Sequence, residues 1–336
     1  MSLSAEQRAR LTRAKLTSLV RDTGAPVDEA VDVGSAAALV ADGRAAVLVD
    51  DGSAAALAGA MLWARRNGAN ALTVFVDDAA DDVARWAGYF QLGGAGIEVR
   101  AVDGSTSYVA APSSLPAAIK APDVPDELLE ALEQSGVEVV AEWGVVRGEV
   151  LGLEVARLVI WPTETGGDGG YHLEAGVGRF DRDAVAAARG DEAPSVSLAR
   201  TVEQVRAHRY PGAPVHPVQL LARERWLRAD LVADPLSVGA SQLRPVEMTT
   251  EPGGLKDAHP AAALGTDSHG AALLVVCSRG VDLSLVPLAA DTRAMHDPSA
   301  RLVLALPGVD HHSATKLLID MLRGDAELLD VAVGWG

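Results

Sequence analysis

The sequence predicts an α/β protein in which an N-terminal parallel βαβαβ domain is joined to a mixed-sheet C-terminal domain. Three observations predict this. Strand-length apolar runs alternate with helical segments in the first third of the chain, a pattern typical of parallel sheets with right-handed crossovers. Four prolines then interrupt the pattern between residues 112 and 125. The length of 336 residues exceeds that of most single domains. We therefore assign residues 28–111 to the first domain, 112–125 to a linker and 126–336 to the second domain.

Residues 1–27 are predicted to form a basic N-terminal helix. Residues 1–23 carry five basic and two acidic side chains, whereas the whole chain has a net charge of −17. A narrow apolar seam that includes Leu11, Leu16 and Leu19 indicates an amphipathic helix. We expect this helix to pack on the acidic body of its own chain or, alternatively, to dock a partner subunit.

Three apolar runs predict the strands of the first domain: Ala45–Val49, Leu72–Val76 and Ile97–Val102. Helical segments starting near Ser53 and Ala80 connect them. Each strand is followed by one or two aspartates: Asp50, Asp51, Asp77, Asp78 and Asp103. Because ligands of open parallel sheets bind at the carboxyl ends of the strands, we expect these side chains to share one edge. They are interpreted as turn and cap residues or, alternatively, as an acidic site for a cation.

The second domain is organised around its densest apolar stretch, residues 271–307. That stretch predicts three strands, followed by a helix near residues 314–323 and a last strand at 327–333. The three strands are Leu273–Cys277, Val281–Leu288 and Leu302–Leu306. A helix over His216–Leu231 precedes this strand-strand-strand-helix-strand core. Residues 149–157 have helical apolar spacing, and residues 233–268 are predicted to form a long loop of the kind that often has a function.

The order helix, three strands, helix, strand, with Asp282 on the second strand, resembles the restriction-endonuclease-like fold over about residues 216–333. In that family an Asp and an acid-X-Lys sequence surround a divalent metal. Asp282 matches the first acid, and Asp291-Thr292-Arg293 is nearest to the second element, with Arg where Lys is expected. The third strand carries no acid. The resemblance implies a metal-dependent phosphodiester hydrolase with Glu154, Asp282 and Asp291 as candidate catalytic residues.

Two functional hypotheses follow. The first is a non-catalytic cytoplasmic scaffold or regulatory module that forms a homo-oligomer or binds a protein partner. The second is the nuclease. The sequence contains no cofactor-binding motif, so a divalent metal is expected only under this second hypothesis. The net charge of −17 disfavours nucleic acid as a partner. Apolar runs are too short to span a membrane, the N-terminus is not that of a secretory signal, and Cys277 is predicted to be an inert core thiol.

Arginines are concentrated in the segment before this core. Six of them are Arg200, Arg206, Arg209, Arg223, Arg225 and Arg228. They are interpreted as a salt-bridged surface or, alternatively, as a phosphate-binding face.

Overall fold

The computed structural model describes residues 4–163, 166–189 and 192–335. The chain divides into two compact units, each assembled from separate stretches of sequence. Unit 1 comprises residues up to 116 together with 280–295 and 311–326, and unit 2 comprises 117–279, 296–310 and the residues from 327 onward. The first crossing from unit 1 to unit 2 follows Pro116, inside the predicted linker 112–125.

Unit 1 is built on a six-stranded sheet. Its elements up to residue 116 are α1 (Ala5–Asp22), β1 (Val31–Val33), β2 (Ala36–Ala41), β3 (Arg44–Val49), α2 (Ala54–Arg66), β4 (Ala71–Val76), α3 (Ala80–Ala87), β5 (Gln91–Leu92), β6 (Ala95–Gly96), β7 (Glu98–Asp103) and β8 (Thr106–Val109). The strand order is β1-β2-β3-β4-β7-β8, and β3, β4 and β7 are mutually parallel. The predicted parallel βαβαβ arrangement is therefore confirmed.

Helix α1 packs on the sheet of its own unit. Its seam residues Leu16 and Leu19 are fully buried in a cluster with Leu48 and Phe75. The Nζ of Lys15 lies 2.6 Å from Oδ1 of Asp77, and Arg13 pairs with Asp32. These contacts match the expectation that the basic helix packs on the acidic body of its own chain.

The aspartates at the strand ends share one edge of the parallel sheet, as predicted. Val49 pairs with Val76, and Val76 pairs with Ala101, so the three strands end side by side. Asp51 accepts a hydrogen bond from the Ser53 amide at 3.1 Å, as a residue in a turn before a helix does.

Unit 2 contains a four-stranded antiparallel sheet and most of a five-stranded mixed sheet. The remaining elements are α4 (Asp126–Gln134), β9 (Glu138–Glu142), β10 (Val145–Val150), β11 (Leu153–Ile160), β12 (Tyr171–Ala175), α5 (Gly178–Arg189), α6 (Pro194–Arg206), α7 (Arg223–Ala233), β13 (Ala240–Val246), β14 (Ala261–Asp267), β15 (Ala272–Cys277), α8 (Leu285–His296), β16 (Arg301–Leu306), α9 (Ser313–Asp320) and β17 (Ala326–Asp330). Most of α8 and all of α9 belong to unit 1. The sheets have the orders β12-β11-β10-β9 and β13-β14-β15-β16-β17.

The predicted strand Val281–Leu288 is wrong, because this segment enters helix α8. Asp282 lies before the helix, where its Oδ1 accepts hydrogen bonds from the amide and hydroxyl of Ser284 at 2.8 and 2.6 Å. Pro287 occupies the first turn of the helix, where an amide has no intrahelical acceptor. The alternation of apolar residues over Val281–Leu288 is short, so it is compatible with the start of a helix as well as with a strand. The core order is therefore strand, helix, strand, helix, strand.

Two other segments differ from the prediction. The helix expected from Glu149 is instead the β10–β11 hairpin, whose turn residues Leu151 and Gly152 have φ angles of 47° and 74°. A Cβ atom at position 152 would lie 2.2 Å from the carbonyl carbon of Arg225, so a side chain there would prevent the hairpin from approaching α7. The long loop predicted over 233–268 contains β13 and β14, which leaves residues 247–260 as the connection between them.

The two large sheets share one connectivity. Each contains a helix, three consecutive strands that pair antiparallel, a second helix, and a fourth strand that pairs parallel to the third. These elements are α1-β1-β2-β3-α2-β4 in the first sheet and α7-β13-β14-β15-α8-β16 in the second. The predicted order helix, three strands, helix, strand is thus present after residue 216, but its strands are β13, β14 and β15. Within the described residues, no helix is long and apolar enough to cross a lipid bilayer.

Candidate functional site

The three candidate catalytic carboxylates are each bonded to partners of their own. Glu154 lies on β11 in unit 2, whereas Asp282 and Asp291 belong to unit 1. Asp291 on α8 is fully buried and accepts hydrogen bonds from three side chains of α3 and the residues after it. The donors are Arg85 Nε at 3.0 Å, Trp86 Nε1 at 3.0 Å and Tyr89 Oη at 2.9 Å. Burial and the Asp291 charge raise the pKa of Tyr89, so this phenol remains a donor.

These residues do not fit the divalent metal that the nuclease hypothesis requires. The neighbours of Glu154 are guanidinium groups, which are cationic and cannot ligate a metal ion. No cluster of three or more His, Cys, Asp or Glu side chains suited to a metal ion occurs among the residues that the structure describes. We therefore derive no metal-dependent step, and the nuclease hypothesis stays a prediction.

Unit 2 instead contains a buried network of guanidinium and carboxylate groups between the β9–β11 strands and helix α7. Glu149 on β10 is fully buried between two arginines of α7, with its two carboxylate oxygens 3.1 Å from Arg225 Nη1 and 3.1 Å from Arg228 Nη2. Glu142, at the end of β9, pairs with Arg228 and lies 3.4 Å from Arg225. Arg147 on β10 extends the network, with its Nη1 3.7 Å from Glu142.

Glu154 forms the second centre of this network. Its carboxylate is 2.7 Å from Arg157 Nε, 2.6 Å from Arg182 Nη1 and 3.0 Å from Arg147 Nε. The Arg147 Nε atom is fully buried, and its contact with Glu154 is close but lacks the geometry of a hydrogen bond. A guanidinium N–H group of the network therefore lacks a well-directed acceptor. The Cζ atom of Arg147 lies 5.5 Å from the ring centroid of Trp143, which adds a cation–π contact.

Desolvation and charge act against each other throughout the network. Burial alone would raise the pKa of Glu142, but Arg228, Arg225 and Arg147 hold it below its usual range. Burial raises the pKa of Glu149 in spite of its two arginine partners. Burial likewise lowers the pKa of the Arg147 and Arg182 guanidinium groups, although both stay cationic at neutral pH.

The buried positive and negative charges of the network are close to balance. Arg147, Arg157, Arg182, Arg225 and Arg228 are its five cations, and Glu142, Glu149 and Glu154 are its three buried anions. Two further carboxylates approach from outside at long distances: Glu174 at 3.8 Å from Arg182 and Glu251 at 3.7 Å from Arg147. Their side chains are 32% and 61% exposed, so solvent screens these contacts strongly. Arg157 is itself 29% exposed and Glu224 on α7 is also buried, so four buried guanidinium groups face four buried carboxylates.

The network lies beside a cleft of about 290 Å³ in unit 2. Its cationic lining consists of Arg147, Arg157, Arg179, Arg182 and Arg225. The first turns of α5 and α7 contribute to the wall, and the segment from Glu251 to Asp257 forms the remainder together with His259. Helix N-termini carry a partial positive charge, so they reinforce the arginines. The carboxylates Glu154, Glu224, Glu251 and Asp257 also lie on the lining.

Part of this site is predictable from the sequence. The arginines before residue 229 stand out there, but the surface interpretation is wrong for Arg209, Arg225 and Arg228, which are all buried. No pattern considered in the sequence indicated Arg147 or Arg182. An available signal was the alternation of charged residues in RGEVLGLEVAR, which is unusual for a segment flanked by apolar strands. Residues from Glu251 to Asp257, within the segment 233–268, lie on the cleft, and a function of this segment stays a prediction.

The chain was compared with models of protein families, with curated proteins and with solved structures, and none of them matches it.

Proposed function

We propose that this protein is a non-catalytic regulatory module whose second unit binds a small anion in the arginine-lined cleft. The observation that carries the proposal is the buried side chain of Arg147, which lines that cleft and whose Nε–H has no hydrogen-bond acceptor among the described residues. Leaving a buried N–H group without an acceptor is costly, so a ligand that accepts from it would compensate that cost. An anionic ligand would supply that compensation.

The chemistry of the lining favours binding over catalysis. Guanidinium groups hold carboxylates and phosphates through paired hydrogen bonds but do not exchange protons at neutral pH. His259, which could exchange protons, is engaged through both ring nitrogens: Nδ1 lies 2.9 Å from the Pro260 carbonyl and Nε2 lies 3.1 Å from the Thr250 hydroxyl. The cleft can therefore recognise an anion with the groups that it presents.

The output of such a module is proposed to pass to a second copy of the chain or to a protein partner in the cytoplasm. The net charge of −17 opposes long-range attraction to nucleic acid. Ligand binding to the cleft would stabilise unit 2 and thereby alter the surface offered to the partner.

Calorimetric titration of the full chain with sulfate and phosphate at constant ionic strength tests the proposal. We expect saturable binding by the wild type and loss of at least about tenfold in affinity in Arg147→Gln. Arg179→Gln, whose side chain is 85% exposed, tests the same wall without disturbing the buried network and should weaken binding to a smaller degree. Arg200→Gln is the matched control, because Arg200 is 57% exposed and pairs with Glu192. Equal heats of binding in all four proteins, or none in any, would contradict the proposal.

The nuclease is a second candidate on element order alone, because α7-β13-β14-β15-α8-β16 follows the order helix, three strands, helix, strand, although Asp282 lies before α8 and not on the second strand. Its test is cleavage of plasmid DNA by the wild type with Mg²⁺ or Mn²⁺. No cleavage by the wild type with either metal would remove this candidate.

A further inference from the structure

We infer that the anionic group bound in the cleft is the carboxylate of a small zwitterion of the free α-amino acid class, and that Glu251 and Asp257 bind the ammonium group of this ligand. This inference rests on the proposed anion-binding function and names the ligand class of the same cleft.

Arg147 supplies the position for the carboxylate. Its side chain is 4% exposed and lines the cleft, and its Nε–H group has no hydrogen-bond acceptor among the described residues. The guanidinium is held in place by Trp143, whose ring centroid lies 5.5 Å from the Cζ atom and whose indole N–H donates to the Met248 carbonyl at 3.1 Å. A ligand carboxylate that accepts from Arg147 would satisfy this donor without a rearrangement of the side chain.

The charge balance of the cleft favours a ligand that is neutral overall. Four buried guanidinium groups of the network and the lining face four buried carboxylates. The more exposed charges of the lining also occur in both signs: Arg157, Arg179, Glu251 and Asp257. An anion alone adds a negative charge to a buried set that is already compensated, which is costly where solvent is largely excluded. A zwitterion brings a carboxylate and an ammonium group together, so the balance is kept.

The segment between β13 and β14 supplies the position for the ammonium group. Glu251 and Asp257 both line the cleft, and the Asp257 carboxylate accepts no hydrogen bond and forms no ion pair among the residues that the structure describes. A Cβ atom at position 253 would lie 2.9 Å from Oδ2 of Asp257, so Gly253 leaves the room that this carboxylate occupies. Carboxylates are strong acceptors for the three N–H groups of an ammonium ion.

The two binding positions adjoin one another. The Glu251 carboxylate lies 3.7 Å from Nη2 of Arg147, so a group that attracts cations is next to the group that binds the carboxylate. In an α-amino acid the ammonium and carboxylate groups are attached to the same carbon atom. Their close spacing therefore suits this cleft better than that of a zwitterion with its charges at opposite ends of a long chain.

The size and the remaining lining of the cleft fit a single amino acid. A volume of about 290 Å³ is at the lower end of the range of roughly 300–1,000 Å³ typical of small-molecule pockets. Ala222, Pro252 and Leu255 add apolar surface to the lining, against which an amino-acid side chain can pack.

The experiment is calorimetric titration of the full chain at pH 7 and constant ionic strength with each of the common free L-amino acids and with propionate. We expect at least one amino acid to bind at least about tenfold more tightly than propionate, because it makes charged hydrogen bonds at both ends. The amino acid that binds most tightly is then compared with its N-acetyl derivative, which lacks the ammonium group, and with its amide, which lacks the carboxylate. Both derivatives should bind at least about tenfold more weakly than the amino acid itself.

Variants separate the two ends of the ligand. Glu251→Gln/Asp257→Asn should weaken binding of the amino acid by about tenfold or more and should not weaken binding of its N-acetyl derivative, whereas Arg147→Gln should weaken both. The double variant Glu203→Gln/Asp123→Asn makes the same chemical changes at two exposed positions outside the cleft and should leave both affinities unaltered.

Three outcomes have distinct consequences. Propionate that binds as tightly as every amino acid would overturn the zwitterion while leaving the anion-binding function intact. Equal weakening of the amino acid and its N-acetyl derivative in Glu251→Gln/Asp257→Asn, or no weakening of either, would overturn the ammonium position. Absence of binding of the amino acids, propionate, sulfate and phosphate alike would overturn the proposed function itself.

Discussion

Replacing Asp291 with alanine should remove the polar centre that joins α8 to α3 within unit 1. Asp291 is fully buried and accepts hydrogen bonds from Arg85, Trp86 and Tyr89. The Arg85 side chain is itself largely buried and retains Asp82, at 2.5 Å, as a charged partner after the change. The variant therefore leaves the largely buried Arg85, the buried Trp86 indole and the half-buried Tyr89 hydroxyl without their shared acceptor.

The magnitude follows from those contacts. Removing one partner of a buried ion pair typically costs about 3–5 kcal/mol. Each hydrogen bond to a charged acceptor contributes about 1.5–3 kcal/mol, but contributions within one network are not additive. We expect the free energy of unfolding of unit 1 to fall by about 4 kcal/mol. Asp82→Ala, at a position that is 42% exposed, should cost about 1 kcal/mol through the same arginine.

Urea denaturation followed by circular dichroism and tryptophan fluorescence measures both changes. The double variant Arg85→Met/Asp291→Leu should be less destabilised than the sum of its single variants, because it removes both charges together. A loss below about 1 kcal/mol in Asp291→Ala would refute the argument that this carboxylate is a buried structural centre.

Four further predictions concern single positions. Burial raises the pKa of Cys277 to about 12, so the native thiol should react with iodoacetamide at pH 8 on the order of 1,000-fold more slowly than in the unfolded chain; similar rates would contradict this. Burial raises the pKa of Asp230 to about 6, so the folded state binds more protons than the unfolded state between about pH 4 and 6, and stability should fall as pH rises through that window. Asp230→Asn should reduce this fall in urea titrations, whereas Asp234→Asn, at an exposed position after the same helix, should leave it unchanged. Asp282→Ala should lower the free energy of unfolding by about 1 kcal/mol, and Asp282→Asn should lower it less, because asparagine also accepts from the Ser284 amide. Losses of stability that are larger than this and equal in the two variants would show a further role of the Asp282 charge. Leu16→Ala should cost about 2–5 kcal/mol by melting temperature or urea midpoint, and an unchanged stability would show that α1 is not part of the core.

The sequence by itself determined the three parallel strands β3, β4 and β7 of the first sheet and the position of their aspartates, but it did not predict β1, β2 and β8. Strands β3 and β4 are continuous apolar runs separated by a capped helix, so local pattern and tertiary environment agree along this segment. The parallel register that aligns Asp51, Asp78 and Asp103 follows from that connectivity and the right hand of the crossovers. The burial of Cys277 and the packing of the basic helix α1 followed in the same way from apolar neighbours.

Only the tertiary structure decided the conformation of Val281–Leu288 and the composition of the cleft. An apolar run with Pro287 suits an edge strand or a helix start, and the hydrogen bonds of Asp282 to Ser284 select the helix. The arginines of the cleft come from a hairpin and from helices far apart in sequence, so their spacing along the chain has no periodicity that would mark a site. Their burial depends on carboxylates that reach them only in the folded chain: Glu149 lies 76 residues from Arg225 and 79 from Arg228. Charge compensation between residues this far apart in sequence depends on the packed structure. Local sequence patterns indicate which face of a strand or helix is exposed to solvent, but they do not indicate which charged side chains will pair in the folded chain.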